Sequence, residues 1–138
     1  MKRILLLLIA TATLGLASCK KDNIIQETSN RTILITIQPS QWKLTTDGRT
    51  YNAEIGIDEI DDLSVRLEGI LVYREHPVNP ESYIQIPYTF EGNTYSYEQF
   101  DGGLSFDIQR ATFATGSPIA PTVPIRFKVV LIPSRNVT

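Results

Sequence analysis

PIRFKVVLIP, residues 124–133, decides the fold. Ile125, Phe127, Val129 and Leu131 fall on one parity; Arg126 and Lys128 fall on the other. A period of two marks an extended strand with one face in a core and one toward water. Pro124 and Pro133 bound it, because proline has no N–H to give to a ladder.

The same alternation recurs upstream. In RTILITI, Ile33, Ile35 and Ile37 alternate with Thr32, Leu34 and Thr36, and Pro39 then stops pairing. In YNAEIGI, Tyr51, Ala53, Ile55 and Ile57 share a face opposite Asn52 and Glu54. In GLSFDIQ, Leu104, Phe106 and Ile108 oppose Ser105, Asp107 and Gln109. GILVYRE, residues 69–75, is apolar on both parities and reads as a central strand covered on both sides, or as one edge of the core. YIQIPYTF, residues 83–90, alternates but carries Pro87, so this strand is an edge or breaks there. Asp47-Gly48, Glu91-Gly92-Asn93 and Asp101-Gly102-Gly103 supply the positive-φ positions of hairpin turns. Pro118, Pro121 and Pro124 predict a long, stiff loop before the last strand. The pattern predicts an all-β chain, an immunoglobulin-like β-sandwich of about seven strands. One segment resists it. Ile60, Leu63 and Leu67 have helical spacing behind a run of acids, although Leu63, Val65 and Leu67 also alternate. One or two helical turns over 58–65 are expected.

The start of the chain is different. Lys2 and Arg3 precede an apolar run from Ile4 to Leu16, the anatomy of a secretory signal and too short to span a bilayer. Leu16-Ala17-Ser18-Cys19 resembles the lipobox of bacterial lipoproteins. That resemblance implies cleavage before Cys19 and lipid on its thiol, with the small Ala17 and Ser18 admitting the peptidase. Cys19 is the one cysteine of the chain, so no disulfide is available. Lys20, rather than an aspartate, follows it, which favours the outer membrane. Cys19-Lys20-Lys21-Asp22 also looks like the start of lipoproteins from Bacteroidota, and the outer face is preferred to the periplasmic one. The chain is thus expected to divide into a signal peptide over 1–18, a lipidated cysteine and tether over 19–31, and a sandwich over 32–135. Loss of the leader removes Lys2 and Arg3 and leaves 11 basic against 15 acidic side chains, a net of −4. That mild acidity offers no footprint for nucleic acid.

The chain names no reaction. His76 is its one histidine and lies in a proline-bounded loop, so a metal site of three or four ligands has no material and no cofactor is implied. There is no Gly-x-Ser-x-Gly elbow. Asp58, Glu59, Asp61 and Asp62 lack the EF-hand spacing and read as a solvated helix start. Aromatic residues crowd the middle of the chain. Tyr95 and Tyr97, on one face, and Tyr83 are the candidate binding surface if exposed, for a protein or a glycan; otherwise they belong to the core or its rim.

Beyond the lipobox, PSQW, GILVY, IPYTF and FKVVLIP resemble small Bacteroidota lipoproteins of unknown function over most of residues 31–133. The resemblance implies a small sandwich on a lipid tether and carries over no functional residue. Expected, then, is a non-enzymatic binding or interaction module of the cell envelope, attached to the membrane through Cys19. Two alternatives stand beside it. One is a barrel carrying a small apolar ligand in a lumen lined by Phe90, Phe106 and Phe127. The other is a hydrolase using a pair of carboxylates in a cleft.

Overall fold

The computed structural model of the chain describes residues 29–112 and 114–134. The leader, Cys19, most of the tether and residue 135 lie outside the described residues.

The strands are β1 (Arg31–Ile37), β2 (Lys43–Leu44), β3 (Thr50–Gly56), β4 (Gly69–Glu75), β5 (Tyr83–Gln85), β6 (Tyr88–Phe90), β7 (Asn93–Phe100), β8 (Gly103–Arg110) and β9 (Ile125–Ile132). A 3₁₀ turn at Pro39–Gln41 follows β1, and one helix, α1 (Asp62–Leu67), precedes β4. The strands form two antiparallel sheets, one ordered β1-β9-β4-β5 and the other β2-β3-β8-β7-β6. The architecture is the all-β sandwich that the alternation predicts.

The described strands number nine rather than about seven, for two reasons. β2 is a two-residue piece. The stretch over 83–90 is divided by the cis Ile86–Pro87 peptide into β5, an edge of the first sheet, and β6, an edge of the second. The chain changes layers at the residue that cannot pair.

β9 behaves as its alternation requires. It lies between β1 and β4, with Ile125, Phe127, Val129 and Leu131 all at most 6% exposed. Opposite them, β8 contributes Leu104, Phe106 and Ile108, each 0% exposed. The rings of Phe106 and Phe127 meet with centroids 4.5 Å apart, so the space between the layers is filled at its centre. Of the three phenylalanines considered for a lumen, only Phe90 faces a cleft, at the end of the sandwich. Trp42 fills the core beside the 3₁₀ turn. Gly103 has no substitute: a Cβ there would run into the Ile55 carbonyl of the adjacent strand.

The outer faces differ in character. That of the five-stranded sheet is polar, with Asn52 bonded to Ser105 and Asp107. That of the four-stranded sheet carries Leu34, Leu71, Tyr73, Tyr83 and Lys128. β4 is therefore interior to its sheet, but no second layer of described residues covers its outer side.

The helix forms, but later than 58–65. Ile57 to Ile60 closes a turn of its own through Ile60 N–H to the Ile57 carbonyl. Asp61 then caps α1 by accepting from the Ser64 amide at 2.7 Å. The expected apolar stripe is corrected as well. Ile60 is buried ahead of the helix, whereas Leu63 and Leu67 are exposed and Ser64 takes the inward position.

Candidate functional site: a cleft around a buried arginine

The three tyrosines are not brought together. Tyr95 and Tyr97 point into the sandwich from β7, and Tyr83 lies on the outer face of the other sheet. The expectation of an exposed Tyr95–Tyr97 platform is corrected. Tyr95 is 7% exposed, and the Tyr97 hydroxyl donates to the Ile70 carbonyl at 2.6 Å. The physical reason is local. β5 pairs β4 only from Tyr73 to Glu75, so Ile70 is left beyond its reach, and Tyr97 satisfies that carbonyl from the facing sheet. Tyr83 remains half-buried on the surface, with Lys128 Nζ 4.9 Å from its ring and 4.5 Å from the ring of Tyr73.

The residue that organises a site is Arg74. The register of β4 against β9 places Ile70, Val72 and Arg74 on the core face. Alternation thus carries a guanidinium inward, where it is 7% exposed. Its carbon lies 4.0 Å above the ring of Tyr95, a cation–π contact that offsets part of the lost hydration. Among the described residues, Arg74 Nε and Nη1 are buried without a hydrogen-bond partner. Neither of the two described ion pairs includes it; Glu75, next in sequence, points outward and binds Arg126. Burial pulls the guanidinium below its usual range, and Tyr95, Tyr88, Glu75 and Glu91 oppose that shift.

Arg74 lies in the wall of a cleft of about 190 Å³. Tyr95, Phe90 and Ile125 line it from the strands; Ile119 and Val123 line it from the proline-rich loop between β8 and β9. Arg74 is its one cation and Glu91 its one carboxylate. The loop is held in place by Asn93, itself buried, whose side-chain amide donates to the Ile119 carbonyl at 3.2 Å and accepts from the Ile119 N–H at 3.3 Å. Ile119 and Val123 are 57% and 63% exposed, so apolar surface at the cleft faces the outside. Glu91 is the described non-glycine residue with a left-handed backbone, φ 48°, in the two-residue turn between Phe90 and Asn93.

His76 staples the neighbouring loop. Its Nδ1 accepts from the amides of Val78 and Asn79 at 3.1 and 3.0 Å, and its ring meets Phe90 edge-on at 6.3 Å. Among the described residues no three His, Cys, Asp or Glu side chains gather as for a metal ion. The acids ahead of α1 have local work: Asp61 caps and Asp62 pairs with Arg66. Two larger, polar clefts lie elsewhere, one beside Asp47 and Arg110, the other beside Lys43 and Glu54; each of the three clefts has a single carboxylate in its lining.

The parity of GILVYRE already contained the signal for Arg74. Counting by twos from Ile70 reaches an arginine on the core side. The apolar run of both parities hides it, because a strand that reads as buried on both faces gives no reason to ask which way its last residues point. Compared with known proteins, the chain matches no family model, no curated protein and no solved structure, so the cleft is read from its own chemistry.

Proposed function

We propose that this chain is a lipid-anchored protein of the cell envelope whose sandwich is a non-enzymatic binding module, with the Arg74 cleft as its site. The observation that carries the reading is Arg74, whose Nε and Nη1 are buried without a hydrogen-bond partner among the described residues, in the wall of a partly apolar cleft. A buried charge without a partner costs several kcal/mol, roughly, and a ligand anion would supply the missing acceptor.

The LASC sequence at residues 16–19 supports the anchoring, and the direction of the strands says which end of the sandwich such an anchor would hold. β1 starts opposite Leu131 and finishes opposite Ile125, and Ile125 is in the cleft. A tether leading back from Arg31 to Cys19 therefore enters at the end of the sandwich away from the cleft, about 20 Å distant along a seven-residue strand. Lipid on Cys19 would hold the body at the outer membrane with the cleft turned away from the bilayer, on the outer face in preference to the periplasmic one.

Two measurements test this. Detergent phase partition with mass spectrometry of the N-terminal peptide is expected to find acyl chains on Cys19, and Cys19→Ser is expected to abolish both cleavage and membrane attachment. A Cys19→Ser protein that stays membrane-bound with its leader removed overturns the anchor. Protease shaving of whole cells is expected to degrade the body; protection moves it to the periplasmic side.

A further inference from the structure

Within the binding role just proposed, we infer that the Arg74 cleft takes a small monocarboxylate with a compact apolar body, either a free acid or the C-terminal residue of a peptide. The inference rests on that role, and it adds the chemistry of the ligand.

The charge count comes first. The cleft holds one guanidinium and one carboxylate, Glu91. Glu91 opposes any anion there, and a phosphate or sulfate dianion about twice as strongly as a single negative charge, so the monoanion is the better match to the one guanidinium. Geometry selects next. A guanidinium presents its N–H groups in a planar fork that suits the two oxygens of a carboxylate. Tyr95 packs against the guanidinium at 4.0 Å, which fixes its plane without supplying an acceptor in the ordinary sense. The walls select the remainder of the ligand. Phe90, Ile119, Val123 and Ile125 supply apolar walls, and the amide of Asn93 is engaged with the Ile119 backbone, which leaves Glu91, Thr122 and Tyr95 as the other polar lining. A polyhydroxylated body would lay part of its hydroxyl-bearing surface on those apolar walls, where hydroxyls go unpaired. Size closes the choice. About 190 Å³ is below the range of drug-sized sites and fits one side chain with its carboxylate.

The experiment uses the full lipidated chain in detergent, read by calorimetric titration and thermal melting. The probes are 4-methylpentanoate, an N-acetylated tripeptide ending in leucine, the amides of both, inorganic phosphate and galacturonate. Expected are saturable 1:1 binding of the acids at or below about 10 mM and at least tenfold weaker binding of the amides. The tighter of the two acids identifies the source of the carboxylate. Arg74→Lys is expected to lose about tenfold and Arg74→Met all binding, the latter with an unliganded melting temperature equal to or above that of the unaltered protein. If amide, phosphate or galacturonate binds as well as the acids, the cleft remains a site but the inferred chemistry is overturned. If neither acid binds, the inference is overturned outright. A lower melting temperature for Arg74→Met, together with no binding, would assign Arg74 to the architecture and remove the proposed role of the cleft too.

Discussion

At the scale of single residues, the molecule shows how a polar atom chooses its burial. Tyr97 is half-buried, and its hydroxyl gives the Ile70 carbonyl the partner that the short β5 does not reach. Burial raises the phenol above its ordinary 10.0. A raised folded-state value means that the contribution of the neutral phenol is whole below pH 10.0 and is lost as the pH climbs through the folded value. Tyr97→Phe is therefore expected to cost about 1 kcal/mol at neutral pH. It is also expected to flatten the decline in stability on the alkaline side, as read by urea denaturation across pH 8–12. Arg74 is the opposite case. It has a ring beneath it and no acceptor among the described residues, which is why its replacement is expected to separate stability from binding.

At the scale of elements, two short pieces decide local form. The turn between β6 and β7 has Glu91 at φ 48° and Gly92 at φ 76°, the pair of positive values that a tight two-residue hairpin needs. Glutamate is a poor occupant of the left-handed region and asparagine a good one. Glu91→Asn is expected to stabilise the fold by about 1 kcal/mol in chemical denaturation. No gain would mean that the Glu91 side chain has compensating contacts. Helix α1 depends on its cap. The Ser64 amide, donating to Asp61, holds that carboxyl below its ordinary 3.8. A depressed folded-state value gives a contribution that is full above 3.8 and lost as the pH falls through the lower folded value. The protection of the Ser64 amide against hydrogen exchange, relative to its intrinsic rate at each pH, is expected to fall in acid. Asp61→Asn should keep the cap and remove the pH dependence, while Asp61→Ala should lose both.

These elements also show what the sequence discloses. Strands with strict alternation, such as RTILITI and PIRFKVVLIP, declare their inward faces because burial acts on every second side chain. Pro87 declares a break but not where the two halves go; only the packing of two layers sends Tyr83–Gln85 to one sheet and Tyr88–Phe90 to the other. Around 58–67 the helical and extended spacings of Leu63, Val65 and Leu67 compete, and a single side-chain cap settles the outcome in favour of a helix whose leucines face water. Tyr95 and Tyr97 share a parity that is visible in the sequence, but which side of the sheet is the core depends on residues far along the chain. The cleft is assembled from β4, the β6–β7 turn and the loop before β9, and no local pattern joins them.

At the scale of the whole molecule, Phe106 and Phe127 meet across the layer boundary, so the two sheets are expected to unfold as one unit. Phe106→Ala is expected to cost about 3–5 kcal/mol, with both sheets lost in a single transition. Separate transitions by near- and far-ultraviolet dichroism would show two independent halves. Direction matters as much as packing. β1 begins and β9 finishes at the same end of the sandwich, with Arg31 opposite Leu131. Under the proposed anchoring, a fluorescent protein or epitope tag fused behind Ser134 would thus emerge beside the lipid and crowd the bilayer. The loop over 76–82, between β4 and β5, opens at the opposite pole, so a label grafted there would reach a bulky antibody without hindering attachment.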